Sequence, residues 1–197
     1  MAASDRRIAL IVVGVASFLT PFMASSVNVA LPTIAREFRL DAVTLGWVAT
    51  SYMLASAVAL LPAGRLGDIH GRKRMFAAGT AVFSLASLLI ALAPSGSFLI
   101  AARVLQGAGA AMGFATSLAI LTSAYPANEK GRVLGINVAA VYIGQAVGPT
   151  VGGLLTQNFG WRSIFAVVVP FTLLNFVLTV TRLKEEWAEA RGEAFDV

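Results

Sequence analysis

The chain has 197 residues, of which 57% are hydrophobic and 13% charged, whereas a soluble domain carries about 25% charged residues; a water-soluble globule is excluded. It has no cysteine and one histidine, His70, so a disulfide framework, a thiolate site and a histidine metal cluster are excluded and no metal site is expected. The formal charge is +5, but the basic residues fall in short stretches between apolar runs, which reads as a membrane topology signal and not as a nucleic-acid surface.

Six charge-free intervals follow one another at residues 8–35, 42–64, 75–102, 104–128, 133–161 and 163–181. A helix needs roughly 17 to 25 apolar residues to cross a bilayer, and the shortest interval has 19. The fold class expected is therefore an all-α polytopic membrane bundle over residues 1–181, with spans near 8–35, 43–64, 75–93, 98–122, 132–156 and 161–181. The first interval far exceeds the apolar core of a signal peptide and reads as a retained helix. Residues 182–197 read as a cytoplasmic amphipathic tail or an inter-bundle linker.

In the first span Ser17, Pro21, Ala24 and Asn28 share one face by helical spacing. An amide at that depth wants partners, so Asn28 belongs either to a substrate cavity or to a bond with a neighbouring helix. Residues 64–74 place Gly64, Asp68 and Gly71 ahead of Arg72, Lys73 and Arg74. The glycines permit a tight turn and close helix approach, Asp68 suits a helix N-terminus, and the three cations suit anionic headgroups.

In the fourth span Arg103 is the one charge inside any span. It either snorkels outward or faces the interior with Gln106 and Gly107. The fifth carries Gly144, Gly148 and Gly152 four apart, with Pro149 and Gly153 beside them, which places it at a helix–helix interface. The sixth has no glycine between Trp161 and Thr181 and carries Phe165, Phe171 and Phe176; it is expected mostly against lipid.

Eleven basic residues fall on the side of the two termini and three on the other, so both termini are assigned to the cytoplasm of a plasma or bacterial inner membrane. At an offset of 89, Gly64, Leu66, Gly71 and Phe76 match Gly153, Leu155, Gly160 and Phe165. The matched stretches lie on opposite sides, as two inverted three-helix repeats require. No span contains Asp or Glu, so no catalytic residues can be assembled and no enzyme is expected.

The run 64–74, Gly-Arg-Leu-Gly-Asp-Ile-His-Gly-Arg-Lys-Arg, resembles motif A of the major facilitator superfamily. Residues 103–109 resemble its motif B. Residues 144–153, Gly-Gln-Ala-Val-Gly-Pro-Thr-Val-Gly-Gly, resemble motif C of helix five, the pattern associated with antiporters. Residues 26–32 and 47–52 resemble motifs of the drug:proton antiporter group with fourteen spans. The resemblance implies the amino-terminal six-helix half of a secondary transporter, with helices one, two, four and five facing the cavity or a second bundle and helices three and six outside. It also implies that Asp68 and Arg72 latch this bundle to its partner. Met23 stands where that group usually has Asp, and Ile69 where motif A commonly has a basic residue. The expected function is proton-coupled export of small apolar or cationic compounds by alternating access, with the proton gradient and no cofactor as energy source. The expected partners are the lipid bilayer and a second six-helix bundle, either a missing carboxy-terminal half or a second copy. A non-transporting assembly or regulatory subunit is the alternative.

Overall fold

A computed structural model describes residues 3–183, and of the expected tail or linker at 182–197 the segment 184–197 lies outside the described residues. Six helices follow in order: α1 Ala3–Phe38, α2 Ala42–His70, α3 Arg72–Ala91, α4 Gly96–Ala124, α5 Ala127–Phe159 and α6 Arg162–Arg182. All six are long and apolar enough to cross a membrane, where a helix satisfies its backbone polar groups internally. Side-chain caps start two of them: Asp41 accepts the Thr44 N–H at 2.7 Å, and Ser95 accepts that of Phe98 at 3.2 Å.

Several helices outrun their apolar spans. α2 continues through Asp68 to His70, and a single non-helical residue, Gly71, separates it from α3. The expected loop at 64–74 is thus mostly helix, because charge ends a hydrocarbon span but does not break a helix. The break comes from Gly71, with φ at 108°, a value that favours glycine.

The packing carries an internal two-fold. α1 lies mainly on α5, and α2 mainly on α4; these pairs exchange when the first three helices are mapped onto the last three. Gly71 and Gly160, matched at the offset of 89, are the two positive-φ glycines among the described residues, at 108° and 81°. They sit at opposite ends: Arg72 reaches Ser123 near the end of α4, whereas Trp161 reaches Glu37 near the end of α1. Phe76 and Phe165, another matched pair, are buried in separate core clusters.

α3 and α6 pack on each other, and α3 buries about half of its span. α2 and α5 are the most exposed helices, with Met53, Val58 and Leu61 on α2 and Tyr142, Ile143 and Leu154 on α5 standing outward. About a third of the α6 span is buried in the bundle and the rest stands outward, in keeping with the expected lipid-facing position. Its outer face is apolar, with Val167, Phe171 and Leu174 exposed, but Thr172, Asn175 and Thr179 are buried against the bundle. Their spacing of three and four residues forms one helical stripe.

Candidate functional site

A shallow cleft of about 340 Å³ opens between α1, α2, α4 and α5. Pro21, Ala24 and Asn28 line it from α1, so most of the face expected from helical spacing is a cleft wall; Ser17, one turn further on, is buried. Tyr52 and Met53 complete it from α2, Arg103 from α4 and Gln145 from α5. Pro149 lacks the N–H that would bond the Gln145 carbonyl, leaving that acceptor beside the cleft. Asn28 is exposed on this face.

Arg103 does not snorkel. It is 1% exposed, its Nε donates to the Val48 carbonyl of α2 at 3.0 Å, and its Nη1 donates to Gln106 Oε1 at 2.5 Å. Its guanidinium lies 4.2 Å from the centre of the Tyr52 ring, a favourable cation–π placement. Gln106 in turn donates to Ser87 Oγ at 2.8 Å, and Ser87 to the Phe83 carbonyl at 2.7 Å. One bonded chain therefore runs from α2 through Arg103 and Gln106 to α3. Such a chain holds a cation at membrane depth by giving two of its donors acceptors inside the protein.

Gly107 is not part of the cleft wall. A Cβ there would strike the Tyr52 carbonyl and approach Ala55 Cβ to 3.0 Å, and Ser56 Oγ donates to the Gly107 carbonyl at 3.0 Å. Gly107 brings α4 onto α2, which steadies Tyr52 under Arg103. Met23 is fully buried in the core cluster, so the position that carries Asp in the resembling group points here into packed carbon. Among the described residues, the carboxylates all lie near helix ends: Asp5, Glu37, Asp41, Asp68 and Glu129.

The glycine stripe of α5 faces α1. A Cβ on Gly144 would meet the Phe18 carbonyl, one on Gly148 would meet Ser25 Oγ, and one on Gly152 would come 2.6 Å from Ser26 Cβ. Ser26 Oγ also donates to the Gly148 carbonyl at 2.9 Å. Without a hydrophobic force between helices in lipid, such backbone contact holds two helices together. Gly153 and Pro149 lie off the stripe, with a Cβ at Gly153 in ordinary contact with Val29, at 3.6 Å.

At the α2–α3 turn, Arg72 is buried, and its Nε and Nη2 each lie 2.9 Å from Asp68 Oδ1. Its Nη1 donates to Ser123 Oγ at 3.2 Å. The expected close approach at Gly64 needs correcting: a Cβ there has ordinary room, 3.9 Å from Ala115. Gly67, not singled out by the motif reading, is the tight position, where a Cβ would lie 2.8 Å from Thr116 Cγ2. Lys73 is half-buried and Arg74 exposed at the same end.

A second clamp at the opposite end escaped the sequence reading. Glu37 accepts Trp161 Nε1 at 2.7 Å and Arg162 Nη1 at 2.5 Å. Arg162 Nη2 donates to the Ala93 carbonyl at 2.8 Å, and its guanidinium lies 4.4 Å from the Trp161 ring centre. Burial raises the Glu37 pKa, but the bonds from Trp161 and Arg162 and the Arg162 charge outweigh it and hold the carboxyl below its ordinary value of 4.5. The offset of 89 maps Arg72 onto Trp161, so this clamp takes the place of the motif A turn at the opposite end.

The sequence matches the Major Facilitator Superfamily over residues 13–195. The chain belongs to that family. Among curated relatives it is 36% identical over 193 residues to the riboflavin transporter RibZ of Clostridioides difficile, covering 98% of this chain and 42% of the relative. It is 43% identical over 189 residues to the multidrug resistance protein Stp of Mycobacterium tuberculosis, covering 95% and 35%. It is 39% identical over 193 residues to the cephamycin export protein CmcT of Amycolatopsis lactamdurans, covering 95% and 40%. The chain thus spans about two fifths of the length of these relatives or less. Six membrane-capable helices among the described residues make it a multi-pass membrane protein of a transporter family.

Proposed function

We propose that this chain is the amino-terminal bundle of a proton-coupled exporter of small organic compounds, working by alternating access with both termini in the cytoplasm. The observation that carries the reading is the cleft in which Asn28, Tyr52 and Arg103 converge at membrane depth, with Arg103 fixed by bonds to α2 and Gln106. A buried cation held in a fixed geometry beside an open cleft is a place to bind a polar group or stabilise a carboxylate. The names of Stp and CmcT, a multidrug resistance protein and a cephamycin export protein, support export of small compounds.

The second bundle would cover the apolar faces of α2 and α5 and close the cleft from the other side. Asp68, Arg72, Lys73 and Arg74 at one end would then meet it in one of the two end states. Motif C glycines 144, 148 and 152 would keep α1 and α5 moving together, and Pro149 would supply the bend.

Proton movement in everted vesicles tests the reading. Vesicles bearing this chain with a co-expressed carboxy-terminal bundle from a relative should show substrate-driven proton movement under a pH gradient, and vesicles bearing the chain alone should not. Coupled movement with the chain alone overturns the need for a partner. No movement from an assembled pair, across a panel including riboflavin and a cephamycin, overturns the exporter reading.

A further inference from the structure

We propose that a pocket deeper in the bundle, between α1, α3, α4 and α6, is a distinct binding site for a small, neutral, mainly apolar molecule carrying one N–H or O–H donor. The pocket has a volume of about 190 Å³ and adjoins the cleft, sharing Pro21, Ala24 and Tyr52 with it. No charged side chain lines it. A ligand pocket for a drug-sized compound is usually larger than about 300 Å³, so the occupant is smaller, of the size of a bicyclic aromatic ring.

Three hydroxyls of its wall have already given their protons to backbone carbonyls. Thr80 Oγ1 gives its proton to the Phe76 carbonyl at 2.9 Å, Ser117 Oγ to that of Gly113 at 2.7 Å, and Thr172 Oγ1 to that of Val168 at 3.1 Å. Each hydroxyl oxygen keeps only lone pairs to offer. Asn175 of α6 also lines the pocket, is 2% exposed, and its Oδ1 has no hydrogen-bond partner. A buried carbonyl oxygen left without a donor is costly in the low-dielectric interior. These acceptors and the orphaned amide oxygen are complementary to a donor, and the surrounding carbon of Leu19, Phe83 and Phe114 to an apolar body.

The site adds a substrate-sized compartment to the transport reading, but its occupancy is measured without transport. Equilibrium binding of radiolabelled indole to the 197-residue chain in nanodiscs tests it, with 1-methylindole as the probe that lacks the donor. Indole should bind saturably, about fivefold more tightly than 1-methylindole, the worth of one neutral hydrogen bond. Asn175→Leu should erase that preference. Gly113→Leu starts from a position lining the pocket where an added Cβ meets open space, so it should fill the pocket and remove binding of both probes while the melting transition is kept. Equal binding of the two probes, a preference that survives Asn175→Leu, unimpaired binding in Gly113→Leu, or no saturable binding to the wild-type chain each overturns the proposal. Indole binding in a chain whose paired form moves no substrate leaves this site standing and removes only the exporter reading.

Discussion

Arg103→Lys keeps a cation on α4 but loses the planar fork that reaches the Val48 carbonyl and Gln106 together while lying over Tyr52. The variant should lose about 1 to 3 kcal/mol of stability, through one or two unmade buried bonds, and transport by the assembled exporter should fall with it. A melt and flux indistinguishable from wild type would remove Arg103 from the cleft machinery. The Glu37 clamp gives a pH signature. Its carboxyl titrates below its ordinary value of 4.5, so the clamp's contribution is fully present above that value and is lost as pH falls through the lowered folded pKa. Glu37→Gln should lower thermal stability at neutral pH and flatten its fall on acidification; an unchanged acid limb in melts taken across that range would show that Glu37 does not carry it. Arg103 was legible because a lone charge in an apolar span draws notice. Glu37 was not, since its partners Trp161 and Arg162 lie more than a hundred residues away and only the repeat offset brings them to mind.

The helices themselves differ in how they are held. α5 meets α1 through backbone contact at Gly144, Gly148 and Gly152, so Gly148→Leu should cost about 1 to 3 kcal/mol by overpacking and separate α1 from α5. Gly135, also on α5, has open space around an added Cβ, and Gly135→Leu should be neutral or slightly stabilising because glycine is a poor helix former. Thermal melts of the two variants in one detergent check this, and equal loss at both sites would mean that the stripe is not a packing seam. The glycine stripe was readable because spacing alone reveals a face. The reach of the helices was not, because the charges at 64–74 hid the continuation of α2 to His70. The polar stripe of α6 was missed for a similar reason: Thr172, Asn175 and Thr179 are scattered among large apolar residues, which dominate the reading of that span.

At the scale of the whole molecule, α2 and α5 present apolar side chains on faces that nothing in this bundle covers. Asp68→Asn, which weakens the hold on Arg72, should leave membrane insertion intact but reduce transport by the assembled exporter; full activity with insertion unchanged would reduce motif A to a basic loop. The two-fold relation was the deepest feature legible from sequence, resting on four matched positions, and the twin glycines at 71 and 160 bear it out in backbone geometry.

The Arg72 turn ties α2 and α3 to α4 at one end, and the Glu37 clamp ties α1, α6 and the Ala93 turn at the other. A bundle stapled at both rims behaves as a stiff lever and not as a bag of sliding rods. With the tied helix ends unable to slide past one another, a displacement at one rim is carried to the other.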